Sequence, residues 1–192
     1  SALIPIDFIC SAIIVAAVLL LLSFAMLAQR RILSLVDLLA WQGAALVGST
    51  LAVAYSTGQQ HLYYSAALTL ALKVILVPLV LHRLIRRLAV RWDTEPLLNI
   101  PATMIVGLAL VVFSFGLAQP ISALASTVTR STLGIAIAVV MLSFLMMITR
   151  RKAISQVIGF LAMENGLFFA ATSATYGMPM VVELGVALDV LV

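Results

Sequence analysis

Charged residues are scarce in this chain, with Asp, Glu, Lys and Arg together making up 9% of its 192 positions. A soluble domain cannot cover its surface on that composition, and a hydrophobic content of 64% with mean hydropathy +1.23 points to a polytopic membrane protein. Cysteine is almost absent too. Cys10 stands alone in the first apolar run, which excludes a disulfide framework or a cysteine metal site within the chain. The two histidines, His61 and His82, flank one apolar segment and make a poor metal site. No glycine-rich phosphate loop, His/Cys cluster or soluble domain is present to hold a cofactor, and none is expected. The first run, 3 to 28, is longer than a signal-peptide core and ends in Gln29-Arg30-Arg31, so it reads as a mature helix.

What is abundant is apolar sequence in runs of membrane length. A crossing needs about 20 residues, and seven runs meet or approach that: 3 to 28, 32 to 56, 61 to 82, 101 to 119, 132 to 149, 153 to 176, and 178 onward. The expectation is an all-α integral membrane protein of about seven transmembrane helices in one polytopic domain, 1–192. Within it, 1–100 is a first three-helix unit with a loop, 101–131 a fourth helix and outer loop, and 132–192 a second three-helix unit. The last run offers only fifteen residues from Met178 to Val192, so the chain is expected to continue beyond Val192 or to end in disorder. The absence of an initiator Met gives the same expectation at the other end.

Nine of the eleven basic residues fall in three alternate connections: Arg30 and Arg31; Arg83, Arg86, Arg87 and Arg91; Arg150, Arg151 and Lys152. Because cytoplasmic loops near helix ends carry the excess Lys and Arg, this places the N-terminus outside and the basic loops in the cytoplasm. The net charge of +4 is thus a topology signal and calls for no nucleic-acid partner. Ser56 to Gln60 and Tyr176 to Met178 read as short outer turns. The stripe Leu84, Leu88 and Trp92 predicts that the third span continues into the cytoplasmic interface.

The chain also resembles itself. Leu22-Ser23-Phe24-Ala25-Met26 followed by Arg30-Arg31 recurs 120 residues later as Leu142-Ser143-Phe144-Leu145-Met146 followed by Arg150-Arg151. Ala71-Leu72-Lys73-Val74-Ile75-Leu76 is similar to Ala187-Leu188-Asp189-Val190-Leu191-Val192. Spans one to three therefore read as a parallel repeat of spans five to seven, with Lys73 in the place of Asp189 and Gln42 in the region of Glu164.

Lys73, Glu164, Glu183 and Asp189 lie inside the apolar runs, where a charge costs at least about 2.5 to 3.5 kcal/mol and so faces a bundle interior, a partner or a water-filled path. At 1.5 Å per residue, Glu164 is about 18 Å along its span from Lys152, Asp189 about 16 Å from Met178, and Lys73 about 18 Å from His61. All three fall near the midplane of a core about 30 Å thick. Glu183 lies nearer the outer surface and Asp37 nearer the cytoplasm. Gln156, Glu164 and Asn165, with Gly159 and Gly166, predict a polar face with close helix approach on the sixth span. Pro78 predicts a kink or a broken hydrogen bond, with a freed carbonyl near Lys73. His82 reads as an interface residue. A carboxylate in low dielectric is pushed toward neutrality and a neighbouring lysine opposes that, so such groups load and release protons after small rearrangements. The candidate proton-transfer residues are Glu164, Asp189, Lys73, Glu183 and Asp37. Structural pairing of the same charges is the other reading.

Arg150-Arg151-Lys152, Val157-Ile158-Gly159-Phe160, Met163-Glu164-Asn165-Gly166 and a following span with Glu183 and Asp189 resemble the three-helix K-type subunit of respiratory complex I and of Mrp antiporters. With four spans ahead of it, the whole chain resembles component E of the hydrogenase-4 and formate hydrogenlyase type of energy-converting nickel-iron hydrogenases. That resemblance implies a non-enzymatic membrane subunit of an oxidoreductase complex whose redox centres lie on other chains. It further implies antiporter-like membrane subunits and a hydrogenase or complex I-like peripheral arm as partners, together with the lipid bilayer of a prokaryotic inner membrane. By the same resemblance Glu164 takes the place of the family's first buried glutamate, and Asp189 or Glu183 that of its second. An Mrp-type cation/proton antiporter component and a purely structural membrane linker are the alternatives.

Overall fold

A computed structural model of the chain describes residues 6–58, 60–89, 98–122 and 127–175. Among these every regular element is helical: α1 Ile6–Ala28, α2 Ile32–Thr57, α3 Gln60–Thr69, a π-helical segment Leu70–Leu76, α4 Val77–Leu88, α5 Ile100–Ser122, α6 Thr127–Thr149 and α7 Ala153–Thr175. The segments α3, π and α4 run on without a break as the third crossing. Six helices are then long and apolar enough to span a bilayer, and the chain is an all-helical membrane protein. The seventh expected span, with Glu183 and Asp189, lies outside the described residues.

The boundaries follow from backbone chemistry at the ends. α2 closes at Gly58, whose left-handed φ of 64° returns its N–H to the Ala54 carbonyl. The stop comes two residues before α3 begins, so α2 and α3 are joined by a short connection where one is expected. The third crossing continues past His82 as expected, but ends at Ala89, which takes a φ of 52°. Its inner face is Leu81 and Ile85; Leu84 and Leu88 of the expected stripe point outward and are exposed. Leu84 and Leu88 are exposed because the helix packs with the face one residue round, and Trp92 lies outside the described residues.

α1, α2, α7 and α6 form a closed ring in which each helix packs on the next. The third crossing lies against α2, and α5 lies against α6 and α1. Two apolar clusters fill the ring. Toward the basic end, Met26, Leu27, Leu35, Leu39, Leu142 and Ile158 belong to one cluster, which also takes in Leu81 and Ile85. Toward the other end, Leu19, Leu46, Val139, Phe168 and Phe169 form a second. Hydrophobic burial drives neither against lipid, so close van der Waals packing and hydrogen bonds between helices hold the ring. Gly159 and Gly166 serve that packing: an added Cβ would lie 2.8 Å from Met147 Cγ at Gly159, and 3.0 Å from Val139 Cγ1 at Gly166.

α1 and α6, matched in the repeat, touch each other, as do α2 and α7. Ser23 and Ser143, at matching positions, each donate to the carbonyl four residues earlier, at 2.9 and 2.7 Å.

Candidate functional site

Between the two apolar clusters lies a polar layer. Ser23 sits between Leu19 and Met26 on α1, Gln42 between Leu39 and Leu46 on α2, and Asn165 between Ala162 and Phe168 on α7; all three are buried. At 1.5 Å per residue Gln42 is about 15 Å from the start of α2 and Asn165 about 18 Å from the start of α7, near the middle of a bilayer core.

These side chains form one directed chain of donors. The Lys73 ammonium donates to Asn165 Oδ1 at 2.9 Å, Asn165 Nδ2 to Gln42 Oε1 at 3.3 Å, and Gln42 Nε2 to Ser23 Oγ at 2.9 Å. The Ser23 hydroxyl ends it on the Leu19 carbonyl. Lysine has only donors, so it fixes which way the Asn165 amide faces, and each amide then orients the next. Aligned bonds of this kind polarise one another in a low dielectric. The Lys73 nitrogen also stands 5.1 Å from the centre of the buried Phe168 ring, within cation–π range. Glu164, next in sequence to Asn165, is itself buried at 7% exposure.

Lys73 is carried by the π-helical segment, a feature the sequence pattern does not disclose. Pro78 lacks an N–H and cannot donate to the carbonyl of Val74, four residues earlier. The turns just before it widen to the π pattern, and Lys73 lies in their middle. The kink expected at Pro78 thus takes the form of a π-helical stretch, of the sort often found at functional sites. Gly43 of α2 lets this wider segment come close, since an added Cβ would lie 3.3 Å from both Lys73 Cβ and Val74 Cγ2 and 3.5 Å from the Lys73 carbonyl carbon. Gly43→Val is expected to overpack this contact, costing about 1–3 kcal/mol and drawing Lys73 away from Asn165. A lowered melting temperature of the purified protein, greater than that of Gly43→Ala, checks it.

Asp37 lies apart from this layer. Its carboxylate is 3.6 Å from His82 Nε2, at the basic end of the bundle, with the Asp37 side chain 65% exposed. Such an exposed pair contributes at most about 1 kcal/mol. His82 Nδ1 is 2.8 Å from the Pro78 carbonyl.

One sequence expectation needs correction. Gln156 does not share the polar face of Glu164 and Asn165; it is exposed, and its Nε2 donates to the Arg150 carbonyl at 3.0 Å, closing the corner between α6 and α7. Arg150 lies in the basic connection between α6 and α7, as expected, but is itself buried. It is 3% exposed, and its Nη2 donates to the Leu27 carbonyl at 2.9 Å and the Met26 carbonyl at 3.4 Å, at the C-terminal end of α1. The ends of α1 and α6 therefore lie on one side, and the two helices, first and fifth of the crossings, run in parallel.

An uncharacterized protein of Mycobacterium tuberculosis H37Rv, Rv0085, is 33% identical to this chain over 187 residues, covering 97% of the chain and 82% of that protein. The chain belongs to the same family. It is also similar to hydrogenase-4 component E of Escherichia coli K12, at 29% identity over 132 residues, or 68% of this chain and 60% of that protein. The hydrogenase-4 component E of Shigella flexneri gives the same values. This family member thus spans less than two thirds of hydrogenase-4 component E. No family model and no solved structure matches it.

Proposed function

We propose that this protein is a membrane subunit of a complex I-related, energy-converting hydrogenase of the hydrogenase-4 and formate hydrogenlyase kind, and that its polar layer takes part in moving protons. The observation that carries the reading is the half-buried lysine on a π-helical turn, hydrogen-bonded to Asn165, which in turn bonds Gln42, so that three crossings are linked, with the buried Glu164 next in sequence to Asn165. The similarity to hydrogenase-4 component E supports the assembly.

The chemistry divides the layer by residue type. Asn165, Gln42 and Ser23 donate and accept hydrogen bonds but do not titrate near neutral pH, so their part is to hold and orient. Lys73 and Glu164 are the members that can carry a proton. Asp189 and Glu183 extend the path along the following span, with Asp189 at the midplane and Glu183 as an outward step, and Asp37 beside His82 is the exchange point with the aqueous side. The redox centres belong to other chains, and antiporter-like subunits and a peripheral arm are the partners. With the basic loops in the cytoplasm, the N-terminus lies outside.

Glu164→Gln keeps shape and hydrogen-bonding capacity while removing the titratable group. In inverted membrane vesicles holding the intact complex, it is expected to lower proton translocation roughly tenfold, equivalent to about 1.4 kcal/mol of barrier, with subunit content unchanged. Normal translocation in an intact complex would sink the relay. Co-purification of a nickel-iron large subunit separates the hydrogenase assembly from an antiporter.

A further inference from the structure

One side of the third crossing carries an open groove of about 780 Å³ that plays no part in the polar layer. Its walls change character along the helix. Ile75, Pro78 and Leu79 line the end within the membrane, and Arg83, Arg86 and Arg87 line the other, with His82 at the junction. Ile75, Leu79, Arg83 and Arg86 follow one another at helical spacing of three or four residues, so they form one stripe about 16 Å long on a single face. Ile75 and Leu79 are 53% and 62% exposed, and the three arginines are exposed as well. α2 packs on the opposite face of the crossing, where Leu81 and Ile85 are buried.

We propose that this groove is a binding site for an anionic phospholipid. A ligand must match both halves at once: an apolar chain long enough to lie along Ile75 and Leu79, joined to a compact anion at the level of the membrane surface. Acyl chains satisfy the first half and a phosphodiester headgroup the second. Guanidinium forks at positions three and four apart can grip phosphate oxygens from two sides, which a single lysine ammonium does not do. A zwitterionic lipid fits the apolar half equally well but brings its own cation to the arginines, so headgroup charge decides occupancy. Basic clusters at the membrane end of a helix are the expected place for such recognition. A free phosphate would use only the arginine half, and the groove commits to a lipid because its apolar half is continuous with the basic one.

The test is a titration of the purified, delipidated full chain in detergent with phosphatidylglycerol or phosphatidylcholine of identical acyl chains, read by native mass spectrometry. Phosphatidylglycerol is expected to be retained at about tenfold lower concentration than phosphatidylcholine. The triple variant R83Q/R86Q/R87Q should bring the two lipids within about twofold. Leu79→Trp, which fills the groove without changing charge, should weaken retention of phosphatidylglycerol too, and it decides the matter together with Arg86→Gln if the triple variant does not fold. Arg30→Gln with Arg31→Gln, on another connection, should change nothing. Equal retention of both lipids, a preference that survives in R83Q/R86Q/R87Q, or displacement of the lipid by inorganic phosphate alone overturns the proposal. So does a photo-crosslinker at position 86 that captures a protein chain, with no lipid, in native membranes.

Discussion

Replacing Lys73 by Met is expected to cut proton translocation by the assembled complex roughly tenfold or more while leaving the stability of the protein nearly unchanged. The two halves of that expectation have different causes. Removing the ammonium leaves Asn165 Oδ1 without the donor that now stands 2.9 Å away, at a cost of about 1–3 kcal/mol for a buried acceptor. It also forfeits the contact with Phe168, worth about 0.5–2 kcal/mol. Against this, the variant no longer holds a cation in the membrane, which returns at least about 2.5–3.5 kcal/mol. The terms offset one another, so a melting curve in detergent should move little. Proton movement has no such compensation, because Met neither titrates nor holds the facing amide in one orientation. Lys73→Arg keeps the charge but spreads it over a planar fork that does not fit a single carbonyl oxygen as a point charge does, and intermediate translocation is expected. A structural lysine gives the reverse pattern: translocation within about twofold of the native protein, and a clear shift in stability.

How much of this was legible in the sequence depends on range. The six described crossings follow from apolar length, because in hydrocarbon a helix is the one way for a single segment to satisfy its own backbone. The buried charges were visible as exceptions to that composition. The identity of their partners was not. Lys73 is bound to Asn165, 92 residues away, and nothing in either segment alone selects that pairing over one between Lys73 and a carboxylate. The repeat came nearest: by aligning Gln42 with the region of Glu164 it placed on matching helices two segments whose polar residues do meet, at Gln42 and Asn165. The π-helical turn was hidden because Leu70–Leu76 is apolar at any helical spacing, and Pro78 alone does not say whether a helix kinks, breaks or widens. Asp37 reads from the sequence as the acid nearer the cytoplasmic surface, and the fold sets it at the exposed basic end beside His82, a partner that the sequence does not select. Glu183 and Asp189 lie outside the described residues and stand on sequence and resemblance.

Arg150 carries the largest expected effect on stability, and sequence reasoning assigns it a different role. Counted with Arg151 and Lys152 it is a topology signal, for which any cation serves equally. In the fold it is buried, and its guanidinium caps the carbonyls of Met26 and Leu27 from a different helix pair. The last carbonyls of a helix have no partner within it and carry the negative end of the helix dipole, so a buried cation there satisfies both needs. The backbone carbonyl of Arg150 is meanwhile held by Gln156 Nε2, which ties α1, α6 and α7 at one corner of the ring. Arg150→Met keeps an unbranched chain of similar reach and removes every donor. The loss of charge-assisted bonds of about 1.5–3 kcal/mol corresponds to a melting temperature lower by roughly 3–12 °C for a chain of this size. Arg150→Lys preserves the charge count of the loop but replaces the fork with one point donor, so a topology role predicts no change, whereas the capping role predicts a loss between native and Met. Met26 and Leu27 also belong to the apolar cluster at the basic end, next to the layer that holds Ser23 and Gln42. Loosening the α1 end therefore reaches the donor chain from its far side, and hydrogen exchange is expected to quicken in the last turn of α1 in Arg150→Met before it quickens in α7.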